Sequence, residues 1–280
     1  MISPSWSDYG TYDESAYPGL WSGVVGYWAP CRGPTGLRLH DVSRGSNWGT
    51  LTNMDAATDW VVSDGRYVLD FDGANDVVSM DSTRTYITDA QPFTIMAWAN
   101  VRSLTNVYSK IILLPSDDAS GNAYEFGISS DSAGGYLGLL AGTASSYARI
   151  RSGTAANTMT TAGMVLYGIT YNGRGRGTAS NYTFYFNTQA ISPLSAGNFS
   201  TVSRRLQLSL DANNNRFDGQ IAEVIVWHRQ FTQNDVAAFR GLGPGGMLQR
   251  RSRRRAYVEP AGFRAHYASQ RSRIIGGGLK

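Results

Sequence analysis

"FDGQIAEVIVWHRQFTQNDVAAFRG", residues 217–241, holds two periodicities in a single stretch. Residues 217–229 read as a strand, and "VIVWH" is apolar on both faces, which places it inside a sheet rather than at an edge. From Thr232 the pattern turns helical. Thr232 stands as N-cap, Asp235 takes the capping-box position three residues on, and Gly241 falls just past the expected end. A strand buried on both faces and leading into a short capped helix needs neighbouring strands on either side.

The rest of the chain supplies them. Strand-like runs separated by Gly, Asn, Asp and Ser clusters occupy residues 66–73, 76–80, 92–101, 107–114, 123–129, 136–142, 163–173, 181–189 and 204–211. "NYTFYFNTQ" (181–189) alternates, with Tyr182, Phe184 and Phe186 on the buried face and Thr183, Tyr185 and Asn187 on the other. "KIILL" (110–114), like "VIVWH", is apolar on both faces and is expected to be central. "NGRGRG" (172–177), between two such runs, reads as a hairpin loop. This spacing predicts an all-β, two-sheet antiparallel sandwich with one short C-terminal helix.

Composition agrees. The 280 residues include 32 Gly, 16 Tyr and 7 Trp, and 42% are hydrophobic, enough to bury a substantial core in short strands joined by tight turns. Cys31 is the only cysteine, which excludes an intrachain disulfide and a Cys-based zinc site. No stretch approaches the roughly 20 apolar residues of a membrane span, and the first residues lack the basic and apolar regions of a secretory signal. The expectation is a soluble protein made in a reducing cytoplasm, with no membrane partner.

The net charge of +4 is unevenly divided. Residues 241–280 carry eight Arg and Lys280 against Glu259 alone, a net +8, while the remaining residues hold 16 basic and 20 acidic side chains, a net −4. Three regions follow: an aromatic N-terminal arm (1–20), a β domain (21–241) and an Arg-rich C-terminal arm (242–280). Neither arm has a period of 2 or 3.6, and such segments order by lying on another surface. The candidate contact residues are Trp6, Tyr9 and Tyr12 in the first arm. In the second they are Arg250, Arg251, Arg253, Arg254, Arg255, Tyr257, Phe263, Tyr267, Arg271, Arg273, Ile274 and Ile275. The arginines suit acidic protein surfaces or nucleic acid, and the apolar members add contacts that a purely electrostatic tail does not need.

Three blocks, spanning about residues 24–240, resemble the laminin-G-like members of the concanavalin A-like lectin/glucanase superfamily. They are "VVGYWAP" (24–30) with "LHDVSRGSNWGTLTNM" (39–54); "YVLDFDGANDVVSM" (67–80) with "PFTIMAWANV" (92–101); and "NNNRFDGQIAEVIVWHRQFTQNDVAAF" (213–239). The resemblance implies a concanavalin A-like jelly roll with extended arms at both ends. "PGLWSGVVGYWAP" (18–30) and the Arg-rich exit closing on "IIGGG" (274–278) are further similar to laminin-G-like proteins of tailed bacteriophages. That narrower likeness implies a virion protein made in the host cytoplasm and present in many copies or as a homo-oligomer. Its place would be the phage head surface, as a capsid decoration or minor head protein contacting the major capsid protein or other virion subunits. The alternative is a lectin-like adhesin recognising surface glycans.

Catalysis is not expected. The glucanases of this superfamily use paired Glu in a Glu-x-Asp-x-x-Glu pattern, whereas the four Glu here, at 14, 125, 223 and 259, never come within that spacing. Asp70 and Asp72 share a strand face but lack a third acid. His40, His228 and His266 accompany no nucleophile elbow or Cys/His signature, and His228 fits a strand-end hydrogen bond. No cofactor is expected. Calcium is the one metal worth testing, with Asp41, Asp72, Asn75 and Asp76 as oxygen donors, although Arg44 brings positive charge to that turn and Asp72 and Asp76 suit turn formation. For sugar stacking, the candidates are Tyr108, Tyr124, Tyr136, Tyr147 and Tyr171.

Overall fold

A computed structural model describes residues 16–82, 84, 86, 87, 91–103, 110–115, 123–130, 135–143, 146–151, 163–175, 178–193, 206–209 and 216–248. A one-turn helix α1 (Pro18–Trp21) precedes sixteen strands: β1 (Val24–Trp28), β2 (Arg38–Leu39), β3 (Gly49–Thr52), β4 (Trp60–Ser63), β5 (Arg66–Asp72), β6 (Val77–Met80), β7 (Phe93–Val101), β8 (Lys110–Pro115), β9 (Ala123–Ser130), β10 (Gly135–Thr143), β11 (Ser146–Arg151), β12 (Val165–Tyr171), β13 (Tyr182–Phe186), β14 (Gln189–Ile191), β15 (Gln207–Leu208) and β16 (Asp218–Trp227). Helix α2 (Gln233–Leu242) follows. Among the described residues no helix is long and apolar enough to cross a membrane.

The strands form two eight-stranded antiparallel sheets, the sandwich expected from the spacing and consistent with the jelly roll that the family resemblance implies. The first runs β14-β13-β12-β7-β16-β5-β4, with β1 joining β16 beyond the end of β5. The second runs β11-β10-β9-β8-β15-β6-β3-β2. The runs apolar on both faces are interior, as predicted: β16 lies between β7 and β5, and β8 lies between β9 and β15. The Gly-rich run that begins at Asn172 follows β12, which pairs antiparallel with β13; residues 176 and 177 of that run lie outside the described residues.

Apolar residues fill two layers rather than one. Between the sheets pack Leu69, Phe71, Ile95, Tyr167, Phe184 and Val224 from the first, and Leu39, Leu51, Val78, Met80, Ile112 and Leu208 from the second. On the opposite face of the first sheet, Tyr27, Met96, Trp98, Leu166, Ile225 and Trp227 pack under Leu20 and Trp21 of α1 and Val236 and Phe239 of α2. Met247 and Leu248 complete this layer, so close packing continues past α2. Each such burial stabilises by about 1.5–3 kcal/mol.

The second layer explains two departures from the sequence pattern. Tyr185, placed by alternation on the polar face of its strand, is buried, because that face is covered too. In β16, Ile221 stands opposite Ala99 and Glu223 opposite Trp98, leaving Ala222 as an extra residue. This bulge shifts the alternation by one, so that Ile221 and Val224 both face the inter-sheet core while Glu223 turns toward the outer layer.

At α2, Thr232 and Asp235 form the expected reciprocal capping box. The helix, however, runs through Gly241 to Leu242 and is capped at Gly243, whose φ of 69° suits a residue without a side chain. A second glycine is required for a different reason. A Cβ at Gly219 would lie 2.2 Å from the Asn100 carbonyl oxygen, so "FDG" preserves the close approach of β16 to β7.

Candidate functional site

The buried carboxylates are tied into the fold. Glu223 Oε2 accepts hydrogen bonds from Tyr27 Oη (2.6 Å) and the Gly245 amide (2.9 Å). Burial raises its pKa to about 7, against the lowering effect of those two donors and the Arg66 charge. Tyr27 is also pushed up, by burial first and then by Glu223. The arrangement is a latch holding the turn after α2 against β1. Asp70 pairs with Arg102, which also binds Asp218 at 2.6 Å. His228 Nε2 lies 2.8 Å from the Tyr86 carbonyl at the end of β16, the strand-end role predicted for it.

Of the proposed calcium ligands, the three carboxylates are already engaged. Asp41 Oδ1 accepts from the Tyr27 and Ser43 amides, and its Oδ2 accepts from Asn47. Arg84 donates to the Gly45 carbonyl, so a guanidinium is bonded into this turn. Asp72 Oδ1 accepts from Ala74 and Asn75, while Asp76 Oδ2 accepts from the Asp72 amide. Burial raises Asp76 to about 6. Carboxylates satisfied by backbone amides make poor ligands for a hard cation that needs six or more oxygens. Among the described residues, no group of three or more His, Cys, Asp or Glu is placed to hold a metal.

A different surface presents unburied binding chemistry. Because Leu39, Leu51, Val78 and Leu208 face the inter-sheet core, their neighbours Arg38, Thr50, Ser79 and Gln207 lie on the opposite face of the second sheet. Cross-strand register places Arg38 opposite Thr50, Thr50 opposite Ser79 and Ser79 opposite Gln207, forming a polar row across β2, β3, β6 and β15. Gln207 Nε2 donates to Ser79 Oγ at 2.9 Å. Arg38 forms an ion pair with Asp81 and donates to Thr50 Oγ1 at 3.3 Å, and Thr50 Oγ1 donates to Asp81 Oδ1 at 2.9 Å.

At one end of this row is Trp48, 39% exposed and, among the described residues, the sole exposed tryptophan. His40 stacks on it with ring centroids 4.1 Å apart and planes at 21°, and the Arg38 guanidinium lies 5.6 Å from its centroid. Burial and the charges of Arg32 and Arg38 lower the His40 pKa, keeping the stacked imidazole neutral at pH 7. The backbone beneath Trp48 is pinned: its carbonyl accepts from the Asp81 amide at 2.7 Å. Buried Asn47 donates to the Ser82 carbonyl (2.9 Å) and Tyr86 Oη (2.7 Å), and its own carbonyl accepts from Trp28 Nε1 (2.9 Å). A held aromatic face beside planar donors and acceptors can stack on a sugar ring and bind its hydroxyls.

The sequence missed this surface. Of its tyrosine candidates, Tyr171 is buried and stacks on Tyr182 at 4.7 Å. Tyr108, and the side chains of Tyr124, Tyr136 and Tyr147, lie outside the described residues. So do Trp6, Tyr9, Tyr12 and every C-terminal arm candidate from Arg250 to Ile275.

A family model described as the concanavalin A-like lectin/glucanases superfamily, laminin-G type 3, matches residues 72–237. No curated protein sequence matches the chain. Among solved structures, domain 4 of an extracellular arabinanase from Geobacillus stearothermophilus, determined in complex with arabinotriose, is similar with a TM-score of 0.58 at 12% identity, over 78% of this chain and 98% of that one. Trypanosoma rangeli sialidase, determined in complex with sialic acid, gives 0.52 at 12% identity, over 78% of this chain and 32% of the sialidase. The binding domain of Paraclostridial Mosquitocidal Protein 1 gives 0.52 at 14% identity, over 79% and 52%. At these identities the likeness is one of fold.

Proposed function

We propose, since the chain belongs to the concanavalin A-like lectin/glucanases superfamily, that it is a carbohydrate-binding module without catalytic activity. The observation carrying this reading is the exposed Trp48 ring, backed by His40 and flanked by Arg38, Thr50 and Asp81. Sugar C–H faces stack on the indole, and the Arg–Asp–Thr cluster exchanges hydrogen bonds with hydroxyls. Absence of catalysis is supported by the described acids: Glu223 is buried against Tyr27 and Gly245, and Asp70 is committed to Arg102. Neither stands beside a second free carboxylate, as glycoside hydrolysis requires. Nor does the reading call for calcium, because the best placed acids are engaged by amides. A glycan array probed with the whole protein and with Trp48→Ala tests it. Signals lost in the variant support the reading, and an array without signal for the wild-type protein sinks it.

A second reading, that the module is a structural component of a tailed-phage particle, is favoured by charge and by where the ends lie. The last 40 residues are strongly basic against an acidic remainder, while Leu20 and Trp21 share one apolar layer with Met247 and Leu248. The described residues nearest the two ends therefore share one layer of the domain. In this reading the arms bind the major capsid protein or other virion subunits in many copies, with nucleic acid as the lesser partner, and glycan binding is the displayed activity. Deleting residues 249–280 should then leave a folded, glycan-binding domain that no longer joins particles; normal incorporation of the truncated protein rejects this reading.

A further inference from the structure

The outer layer of the first sheet is interrupted by a pocket of about 180 Å³ lined by Ser63, Asp64, Arg66, Val68, Trp98, Met164, Ala222 and Pro244. Its walls are apolar where β5, β7 and β16 contribute Val68, Trp98 and Ala222, and where Met164 and Pro244 close the sides. Its polar groups fall into two sets.

The first set consists of donors. Trp98 is only 7% exposed, and its indole Nε1, enclosed in the wall, has no hydrogen-bond partner among the described residues. An enclosed donor left unsatisfied costs about 1–3 kcal/mol, so such groups generally have a partner in the functional state. Arg66 makes no side-chain hydrogen bond or ion pair among the described residues. Its guanidinium rests against the C-cap of α2, where a Cβ on Gly243 would come within 3.1 Å of Nη1. The neighbouring Glu223 does not hydrogen-bond Arg66; its Oε2 is taken by Tyr27 and Gly245. The fork of cationic donors on Arg66 matches a carboxylate.

The second set is at the rim. Ser63 and Asp64 belong to the tight β4–β5 hairpin, in which Asp64 and Gly65 both have positive φ (51° and 76°), and Asp64 is exposed. Their hydroxyl and carboxylate can accept hydrogen bonds from ligand hydroxyls. The volume admits one ring, and the apolar walls suit its faces.

We infer that this pocket binds a single-ring, hydroxylated carboxylic acid, the chemical class of an acidic monosaccharide, with Arg66 holding the carboxylate, the Trp98 ring forming an apolar wall, and Ser63 and Asp64 reading the hydroxyls. The pocket is separate from the Trp48 surface and stands or falls independently of it. Calorimetric titration of the full chain carrying Trp48→Ala, which removes the other proposed sugar surface, with D-glucuronate, D-glucose and benzoate tests the assignment. Glucuronate should bind and glucose should not. Arg66→Gln should weaken glucuronate at least tenfold, and Met164→Trp, which fills the pocket with Arg66 intact, should do the same. Both variants should keep a near wild-type unfolding midpoint. The proposal is overturned if glucuronate does not bind, if glucose binds equally well, or if Met164→Trp retains full affinity. Benzoate binding as tightly as glucuronate overturns it as well, because Ser63 and Asp64 would then read nothing.

Discussion

The two sheets treat their outer faces in opposite ways. The outer face of the first sheet is a second core: Trp227 packs edge-on to Phe239 and against Phe231, and its Nε1 donates to the Leu20 carbonyl at 2.7 Å. Arg229 ties both ends to it, donating to the Ser22 and Gly19 carbonyls and pairing with Asp235. The second sheet instead presents Arg38, Thr50, Ser79 and Gln207 on its described outer positions, with Trp48 beside them. An antiparallel sheet needs only one buried face. Here α1, α2 and the turn that follows α2 seal the other face of the first sheet, while the described outer positions of the second sheet stay polar.

The sharpest way to break this contrast is Trp227→Ala. If the sealed face is a core, the substitution costs about 3–5 kcal/mol in chemical denaturation; a loss under 1 kcal/mol would reduce the layer to a surface coat. The next test uses pH. Glu223 has a folded pKa of about 7, above the ordinary 4.5. Its contribution to stability is therefore complete below pH 4.5 and is lost as pH rises through 7, a change of about 3 kcal/mol. Asp76, raised to about 6, acts in the same direction, so the quantity to measure is the difference between wild type and Glu223→Gln. The variant should show the shallower decline, and identical pH profiles would mean that the bulge does not seal the carboxyl away from water.

Smaller effects sharpen the contrast. Thr232→Ala removes half of the capping box over the sealed face and should cost about 1 kcal/mol, measured as a shift in thermal unfolding. Trp48→Ala, on the open face, should change stability by no more than about 0.5 kcal/mol while abolishing glycan binding. Equal stability losses for Trp48→Ala and Trp227→Ala would erase the distinction between the faces.

The strands and the capped helix were legible because each rests on local chemistry: a period of two, turn residues at the breaks, and a Thr232–Asp235 pair three residues apart. Tyr185 was misplaced because alternation identifies a face of the strand but not whether something covers it. Glu223 was hidden because a bulge at Ala222 leaves no mark in the residue pattern. The Trp48 surface escaped notice because its members, from Arg38 to Asp81, meet only when β2, β3 and β6 pair.

From the sequence alone follow a two-sheet sandwich, the interior positions of "VIVWH" and "KIILL", the capping of α2 and the division of charge between the body and its last 40 residues. All of these depend on neighbours in the chain or on sums along it. Which tryptophan stays in solvent, which carboxylate is enclosed, and where Arg66 and Trp98 open a pocket depend on residues brought together across strands, and only the tertiary structure decided them.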